Sequence, residues 1–259
     1  MDAKDFYDSM GGDYDRMVSW HTRIAREAAF FHRLFEENGV RRVLDAACGT
    51  GAHAIEFARQ GLRSAGADLS PAMIGLAREN ARAAGVEVDL QAAAFGELAG
   101  RFTGPFDAVT CLGNSLPHLV DDSSLAAALS DFASLLRPDG VCVIQNRNYD
   151  RLLRDRQRFM PLAAREDAEG EALFLRITDF PPAADDASES IEFTIVTLKK
   201  RHGSWDQTAR TTPLRALRRA TIERALGAAG FSSIQVYGSF AMAAFDEPGT
   251  GDLVAVAKR

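Results

Sequence analysis

The chain reads as a doubly wound α/β fold with an inserted antiparallel β subdomain and an N-terminal helical cover. Three observations predict this. Short apolar runs alternate with helical stretches between residues 41 and 146. A glycine turn, Ala47-Cys48-Gly49-Thr50-Gly51, joins the first of those runs to its helix. After Arg147 the pattern changes to β-branched and aromatic segments with partial alternation. Strand–helix alternation implies a mostly parallel sheet with right-handed crossovers. Period-two alternation implies strands with one solvated face.

Residues 1–20, with Phe6-Tyr7-Asp8, Tyr14-Asp15 and Trp20, predict a short helix and a mobile cover. A helix from about Ile24 to Glu37 presents Ala28, Phe31, Leu34 and Phe35 on one face, and Gly39 ends it. Strand 41–46 feeds helix 52–60. Strand 63–68 feeds a helix opened by Ser70 as cap and Pro71 in the first turn, and closed by Gly85. Strand 86–91 and strand Asp107 to Leu112 follow. A helix from Asp122 to Leu136 ends before the turn Pro138-Asp139-Gly140, which leads into strand 141–146. Segments 171–179, 191–199 and 204–211 read as antiparallel strands, punctuated by Pro181-Pro182 and His202-Gly203, with the acidic stretch Ala183 to Ser190 as a mobile hairpin tip. The frame resumes with a helix from Leu214 to Ala229 and strands 231–237 and 253–257. The resulting divisions are a cover (1–40), a core (41–150), an inserted β subdomain (151–212) and the rest of the core (213–259).

A hydrophobic fraction of 46% over 259 residues suits a folded core. A net charge of −6 argues against a nucleic-acid partner, because phosphate binding needs a basic face. Arginine is dense at 147–158 and 215–224, but interspersed acids make these solvated helix faces. No apolar run reaches membrane-span length, and the N-terminus lacks a signal-peptide pattern. Cys48, Cys111 and Cys142 have no metal-ligand spacing and read as reduced core thiols in a cytoplasmic protein.

The segment Val43 to Gly51 carries the most chemistry. A buried strand ends in Asp45, and a small-residue turn then lets a ligand lie against bare main chain. A second acid, Asp68, closes the next strand about twenty residues beyond the glycines, where such folds place a ribose-binding carboxylate. Asp45 would repel a pyrophosphate but suits an ammonium. S-adenosylmethionine (SAM) has a ribose, an ammonium and no phosphate. Gly49-x-Gly51-x-x-Ala54 also fits a relaxed dinucleotide fingerprint, so a nicotinamide-dependent oxidoreductase stays open as an alternative.

Two later strand ends point at the same mouth. Cys111-Leu112-Gly113-Asn114-Ser115 leads to Pro117-His118-Leu119, and Gln145-Asn146-Arg147-Asn148-Tyr149-Asp150 follows the next strand. Asn114 offers an amide carbonyl that could orient an amine, and Arg147 a guanidinium suited to an acid. His118 reads as a structural hydrogen-bonder before a base. The alternative for Arg147 is an ion pair with Asp150 that only holds the loop.

The first segment with Asp68 resembles motif I and the ribose-binding acid of class I SAM-dependent methyltransferases. With Gly-Asn-Ser and Arg-Asn-Tyr-Asp added, residues from about Arg23 to Asp150 resemble the glycine N-methyltransferase and glycine/sarcosine methyltransferase group. The resemblance implies a Rossmann-like seven-stranded sheet, SAM as cofactor with S-adenosylhomocysteine as product, and N-methylation of an amino acid or related small amine. It implies cofactor contacts at Arg23 (to the SAM carboxylate), Asp45, Ala47, Gly49, Asp68, Leu69, Met73, Ala94, Phe95 and Leu112. It places the acceptor carboxylate on Arg147 and the acceptor amine by Asn114, with Tyr14 and Tyr149 nearby. It departs from the group at Ala94-Phe95, where an Asp or Asn side chain usually meets the adenine amine, and Gln91 is the candidate substitute. The N-terminal segment also matches poorly. O-methylation of an acid or hydroxyl, and a non-catalytic SAM-binding module, remain alternatives. No metal is expected, and homo-oligomerisation is compatible with the reading.

Overall fold

The computed structural model describes residues 1–180 and 189–259. The expected hairpin tip at Ala183 to Ser190 therefore lies outside the described residues, except for its last two positions.

Three helices lead the chain: α1 (Ala3–Asp8), α2 (Asp13–Met17) and α3 (Trp20–Glu37). Then β1 (Arg42–Asp45), α4 (Ala52–Arg59), β2 (Arg63–Asp68), α5 (Pro71–Ala84), β3 (Asp89–Ala92), β4 (Phe106–Cys111), α6 (Asp122–Leu135) and β5 (Leu136–Arg147) follow in sequence. After α7 (Tyr149–Asp155) come β6 (Ala163–Asp167), β7 (Gly170–Asp179), β8 (Ser190–Arg201) and β9 (Ser204–Arg215). Helix α8 (Arg219–Ala228) and strands β10 (Ser232–Tyr237) and β11 (Asp252–Lys258) complete it.

The main sheet has seven strands in the order β10-β11-β5-β4-β1-β2-β3. Alternate residues of its central strands feed opposite layers. Val43, Val141 and Val143 pack with Phe30, Phe31 and Phe57 of α3 and α4. Leu44, Cys142 and Ile144 pack with Leu129, Phe132 and Ile222 of α6 and α8. Each fully buried side chain of this size contributes roughly 1.5–3 kcal/mol, so the two layers fix the sheet's register. Ser70 caps α5, accepting from the Met73 N–H at 3.1 Å, and Gly85 ends that helix at φ +68°, both as the sequence implied.

The structure differs from expectation at several boundaries. β11 runs antiparallel to both its neighbours, so the sheet is mixed. The Pro138 turn is an excursion inside β5: pairing with β4 jumps from Leu136 to Val141, with Asp139 at φ +59°. Leu214 and Arg215 belong to β9, paired with Ile191 and Ser190, and α8 starts only at Arg219. The unforeseen β6 pairs with β7, so the second sheet has four antiparallel strands, β6-β7-β8-β9. Its inner face meets α1, α2 and α5 through Phe174, Ile195, Phe6, Met10, Met17 and Met73. The cover is thereby pinned between the two sheets.

The arginine-dense stretches carry surface pairs, Arg151–Asp155 and Arg219–Glu223. The three cysteines are free and buried, and burial pushes the Cys142 thiol up to about 12. No helix among the described residues is long and apolar enough to cross a membrane.

Candidate active site

Strand order reverses between β1 and β4, and the crevice beyond their carboxyl ends is where open α/β sheets bind ligands. Two adjoining cavities lie there.

The smaller, about 160 Å³, is lined by Ala47, Gly49, Asp68, Leu69, Ala94 and Phe95, with Tyr7, Tyr14 and His118 on its far side. Gly49 (φ +54°) and Gly51 (φ +87°) hold left-handed backbone. A Cβ on Gly51 would come within 3.1 Å of the Ala77 Cβ, so the loop also needs glycine for close packing on α5. The Asp68 carboxylate accepts from the Gly49 N–H (2.8 Å) and the Ser70 N–H (2.9 Å), one on each oxygen. Burial raises its pKa to about 6 despite those bonds. Each oxygen keeps a further lone pair for a hydroxyl donor. This cradle fits a nucleoside: a carboxylate for a vicinal diol, bare main chain at Gly49, and the Phe95 ring beside the cavity.

The cover is tied to this cradle. Asp15 accepts from the Thr50 hydroxyl in the glycine loop and from the Trp20 indole N–H (2.6 Å). Asp8 accepts from the Ser70 hydroxyl. The cover expected to be mobile is thus two helices held by charged hydrogen bonds to both binding loops.

The larger cavity, about 560 Å³, shares Tyr7, Tyr14 and His118 with the first and continues past Arg23, Asn114 and Arg147 to the inner face of the second sheet. Arg23 donates to Glu27 (2.9 Å) and to Gln145 Oε1 (3.3 Å), which also accepts from the Gly113 N–H (2.9 Å). Glu27 is 1% exposed and bonded to His53 (2.7 Å). Burial would raise its pKa, but the bonds from His53 and Arg23 lower it overall. Arg147 donates to the Thr178 hydroxyl at 3.3 Å and has no carboxylate partner among the described residues. Burial lowers its pKa, although a guanidinium remains charged. Asp150 instead accepts from the Arg219 N–H (2.9 Å), so the loop-holding pair with Arg147 is not formed.

Asn114 sits at φ +67°, a conformation asparagine tolerates. Its carbonyl accepts from the Arg147 N–H (3.0 Å) and its amide donates to the Tyr149 hydroxyl (2.9 Å). The carbonyl expected to orient an amine is therefore engaged in joining two strand ends. Tyr149 is fully buried behind Asn114, and burial pushes its pKa to about 12.

His118 Nε2 lies 3.1 Å from the Tyr7 hydroxyl, and Nδ1 is buried without a partner. Burial lowers its pKa to about 4, so the imidazole is neutral near pH 7.

Of the residues singled out from sequence, Ala47, Gly49, Asp68, Leu69, Ala94 and Phe95 line the smaller cavity, and Tyr14, Arg23, Asn114 and Arg147 line the larger. Four lie outside these walls. Asp45 is buried, accepts from Thr110 (3.2 Å), and burial raises its pKa. Met73 packs under α1 with Phe6 and Met10, because its place in the first turn of α5 turns it toward the cover. Leu112 faces the Phe30 layer, and Tyr149 stands behind Asn114. Gln91 donates to Asp89 (3.1 Å) and does not line the smaller cavity. Sequence reasoning missed Tyr7, Ser115, Gln145, Arg165, Arg176 and Asp252 as lining residues. Tyr7 and Ser115 lay inside quoted segments, but neither carried a motif role.

Comparison with known proteins agrees with this architecture. Residues 43–140 match a family model described as a methyltransferase domain. Over 140 residues the chain is 40% identical to a glycine/sarcosine N-methyltransferase of Parasynechococcus marenigrum, covering 54% of this chain and 50% of that relative. A second such relative, from Aphanothece halophytica, is 29% identical over 229 residues, covering 88% of this chain and 80% of its own length. The chain thus spans only about half the length of the first relative. A crystal structure of a SAM-dependent methyltransferase from Clostridium acetobutylicum superposes with a TM-score of 0.78 at 18% identity, covering 97% of this chain and 98% of that one. Residues 43–140 thus match a methyltransferase domain, and the fold is that of class I SAM-dependent methyltransferases. Within that class it resembles the glycine N-methyltransferase group.

Proposed function

We propose that the chain methylates the amine nitrogen of a small carboxylate-bearing acceptor, an amino acid or a close relative. The observation that carries this reading is Arg147: a desolvated guanidinium without a carboxylate partner among the described residues, in a cavity that adjoins the nucleoside cradle. A buried unpaired charge is costly, and an acceptor carboxylate gripped by the guanidinium fork removes that cost. The relatives' names point to the same acceptor chemistry.

When bound, SAM supplies a methyl group already activated by its sulfonium. The chain's own work is alignment. Asp68 would receive the ribose hydroxyls, Gly49 would offer main chain, and Phe95 and Leu69 would hold the base. Arg23, held by Glu27 and Gln145, would hold the methionine carboxylate with its remaining donors. Arg147 fixes the acceptor's carboxylate, and Asn114 fixes Arg147 by its backbone. Tyr7, Tyr14 and His118 form the partition at which the two ligands meet.

An amine must arrive deprotonated. His118, with a pKa near 4, is too weak a base, and the Tyr14 phenol, raised to about 12 by burial, holds its proton. In this reading neither group serves as the base, and water takes the acceptor's proton before alignment. Among the described residues no group of three or more His, Cys, Asp or Glu could hold a metal, so full activity is expected in excess chelator. Incubation with methyl-labelled SAM and an amino-acid panel, read by mass spectrometry, tests the reading: label on nitrogen is expected, and label only on oxygen would refute it.

A further inference from the structure

The larger cavity carries more positive charge than one carboxylate can answer. Five arginines line it (Arg23, Arg26, Arg147, Arg165 and Arg176) against one acid, Asp252. Arg23 and Arg26 share Glu27, with Asp252 also nearby. Arg147, Arg165 and Arg176 have no carboxylate partner among the described residues.

Arg165 and Arg176 stand on the buried face of the second sheet. In β7 the shielded residues are Ala172, Phe174 and Thr178, and Arg176 shares their parity. In β6 Arg165 shares the parity of buried Ala163. An arginine on such a face forfeits hydration unless something repays it. Here protein supplies only carbonyls: Pro161 for Arg176 (3.2 Å), Ala164 (2.7 Å) and Met17 (3.4 Å) for Arg165. Arg176 Nε is buried with no partner at all. Burial, with Arg147 and Arg165 nearby, lowers the Arg176 pKa, as mutual repulsion of gathered cations requires. The cavity, at about 560 Å³, has the size of a pocket for a drug-sized ligand. Bound SAM would add a net positive charge.

We propose that the acceptor is a dianionic amine, with its carboxylate at Arg147 and a second anionic group, carboxylate or phosphate, at Arg165 and Arg176. This deepens the N-methyltransferase reading and rests on it. The second anion makes the inserted sheet the element that chooses the acceptor, and a neutral amino acid leaves two cations unanswered.

The test is calorimetric titration into the full chain saturated with S-adenosylhomocysteine, using matched pairs: glutamate against glutamine, aspartate against asparagine, O-phosphoserine against serine. At least one dianion should bind about ten- to a hundredfold tighter than its partner, the worth of a charged hydrogen-bonding group. Which one distinguishes a carboxylate from a phosphate. R165Q and R176Q, singly and together, should erase that preference while S-adenosylhomocysteine affinity stays within about twofold, since neither residue lines the nucleoside cradle. Pairs that bind equally, or bind not at all, overturn the proposal. So does a preference that survives in the folded double variant. The wild-type pairs decide the matter even if that variant fails to fold. The two readings fail separately. A dianion that binds preferentially yet never gains label from methyl-labelled SAM refutes N-methylation. A monoanionic amine methylated as efficiently as its dianionic partner refutes the second anion site alone.

Discussion

The cavity beside Asp68 is floored by main chain and mostly small side chains from consecutive strand–loop–helix units, with Tyr7, Tyr14 and His118 closing its far side. The cavity beside Arg147 is walled by long charged side chains that arrive from α3, β5, β6 and β7. The floor of the first gains its shape from backbone conformation, and the segment from Ala46 to Phe95 supplies it. The second gains its shape from tertiary packing between a core sheet and an inserted one. A backbone cradle has little freedom to change its ligand. A wall of arginines can be re-specified one residue at a time. In the proposed reading the first is a fixed cofactor half and the second an adjustable acceptor half.

The largest expected effect lies on the acceptor side. Arg147→Ala should lower kcat/KM for a carboxylate-bearing amine by about a hundred- to a thousandfold, because it leaves the acceptor's charge unpaired in a shielded site. Arg147→Lys keeps the charge but loses the fork, and should fall in between. Steady-state kinetics on both variants measures this. On the cofactor side, Asp68→Ala should weaken SAM by about ten- to a hundredfold in calorimetry, the worth of a charged acceptor serving two hydroxyls.

Acidity sharpens the same contrast. Burial raises the Asp68 pKa to about 6, so below that pH the ligand-free chain holds a proton there that charged-acceptor binding must release. SAM affinity should be constant above that pH and fall by up to tenfold per unit below it. Stability runs the other way. A raised carboxyl pKa favours the folded chain fully below the unfolded value, about 4, and that benefit is lost as pH rises through 6. Asp68→Asn should flatten the pH dependence of SAM binding. A SAM affinity that does not change between pH 5 and 7 in the parent chain would contradict Asp68 as the diol acceptor.

The smallest effect tests the junction. Asn114→Gly keeps a residue tolerant of φ +67° but removes the bonds to Arg147 and Tyr149. A loss on the order of 2 kcal/mol, read as a lower Tm, is expected, with acceptor KM raised and SAM affinity little changed.

The geometry of the cradle at Gly49 and Asp68 was largely legible because its determinants are local. Asp68 lies nineteen positions beyond Gly49 and accepts its N–H, as the spacing implied. Legibility ended where side chains turn away from a motif. Asp45 and Met73 belong to the right segments, yet one faces Thr110 and the other the cover. The acceptor half was less legible. In β7 both faces carry apolar residues, Leu173, Leu175 and Ile177 on one and Ala172 and Phe174 on the other, and packing shields the face with Ala172, Phe174 and Thr178. A one-residue choice of face decides whether Arg176 is a solvated surface charge or a cavity wall. The cover and α5 settle that choice, by packing Phe6, Met10, Met17 and Met73 against Phe174 and Ile195. The β6 strand was missed for the same reason, since its run of alanine, arginine and acids has little strand character until β7 lies beside it.

One crosswise experiment tests the division most directly: SAM affinity by calorimetry and acceptor KM by kinetics, measured side by side on Asp68→Ala and Arg147→Ala. The account predicts that the losses cross. Asp68→Ala should lose SAM and leave acceptor KM at saturating SAM nearly unchanged, while Arg147→Ala should lose the acceptor and keep SAM within about twofold. An Arg147→Ala protein that loses SAM as severely as it loses the acceptor would contradict the assignment of Arg147 to the acceptor carboxylate.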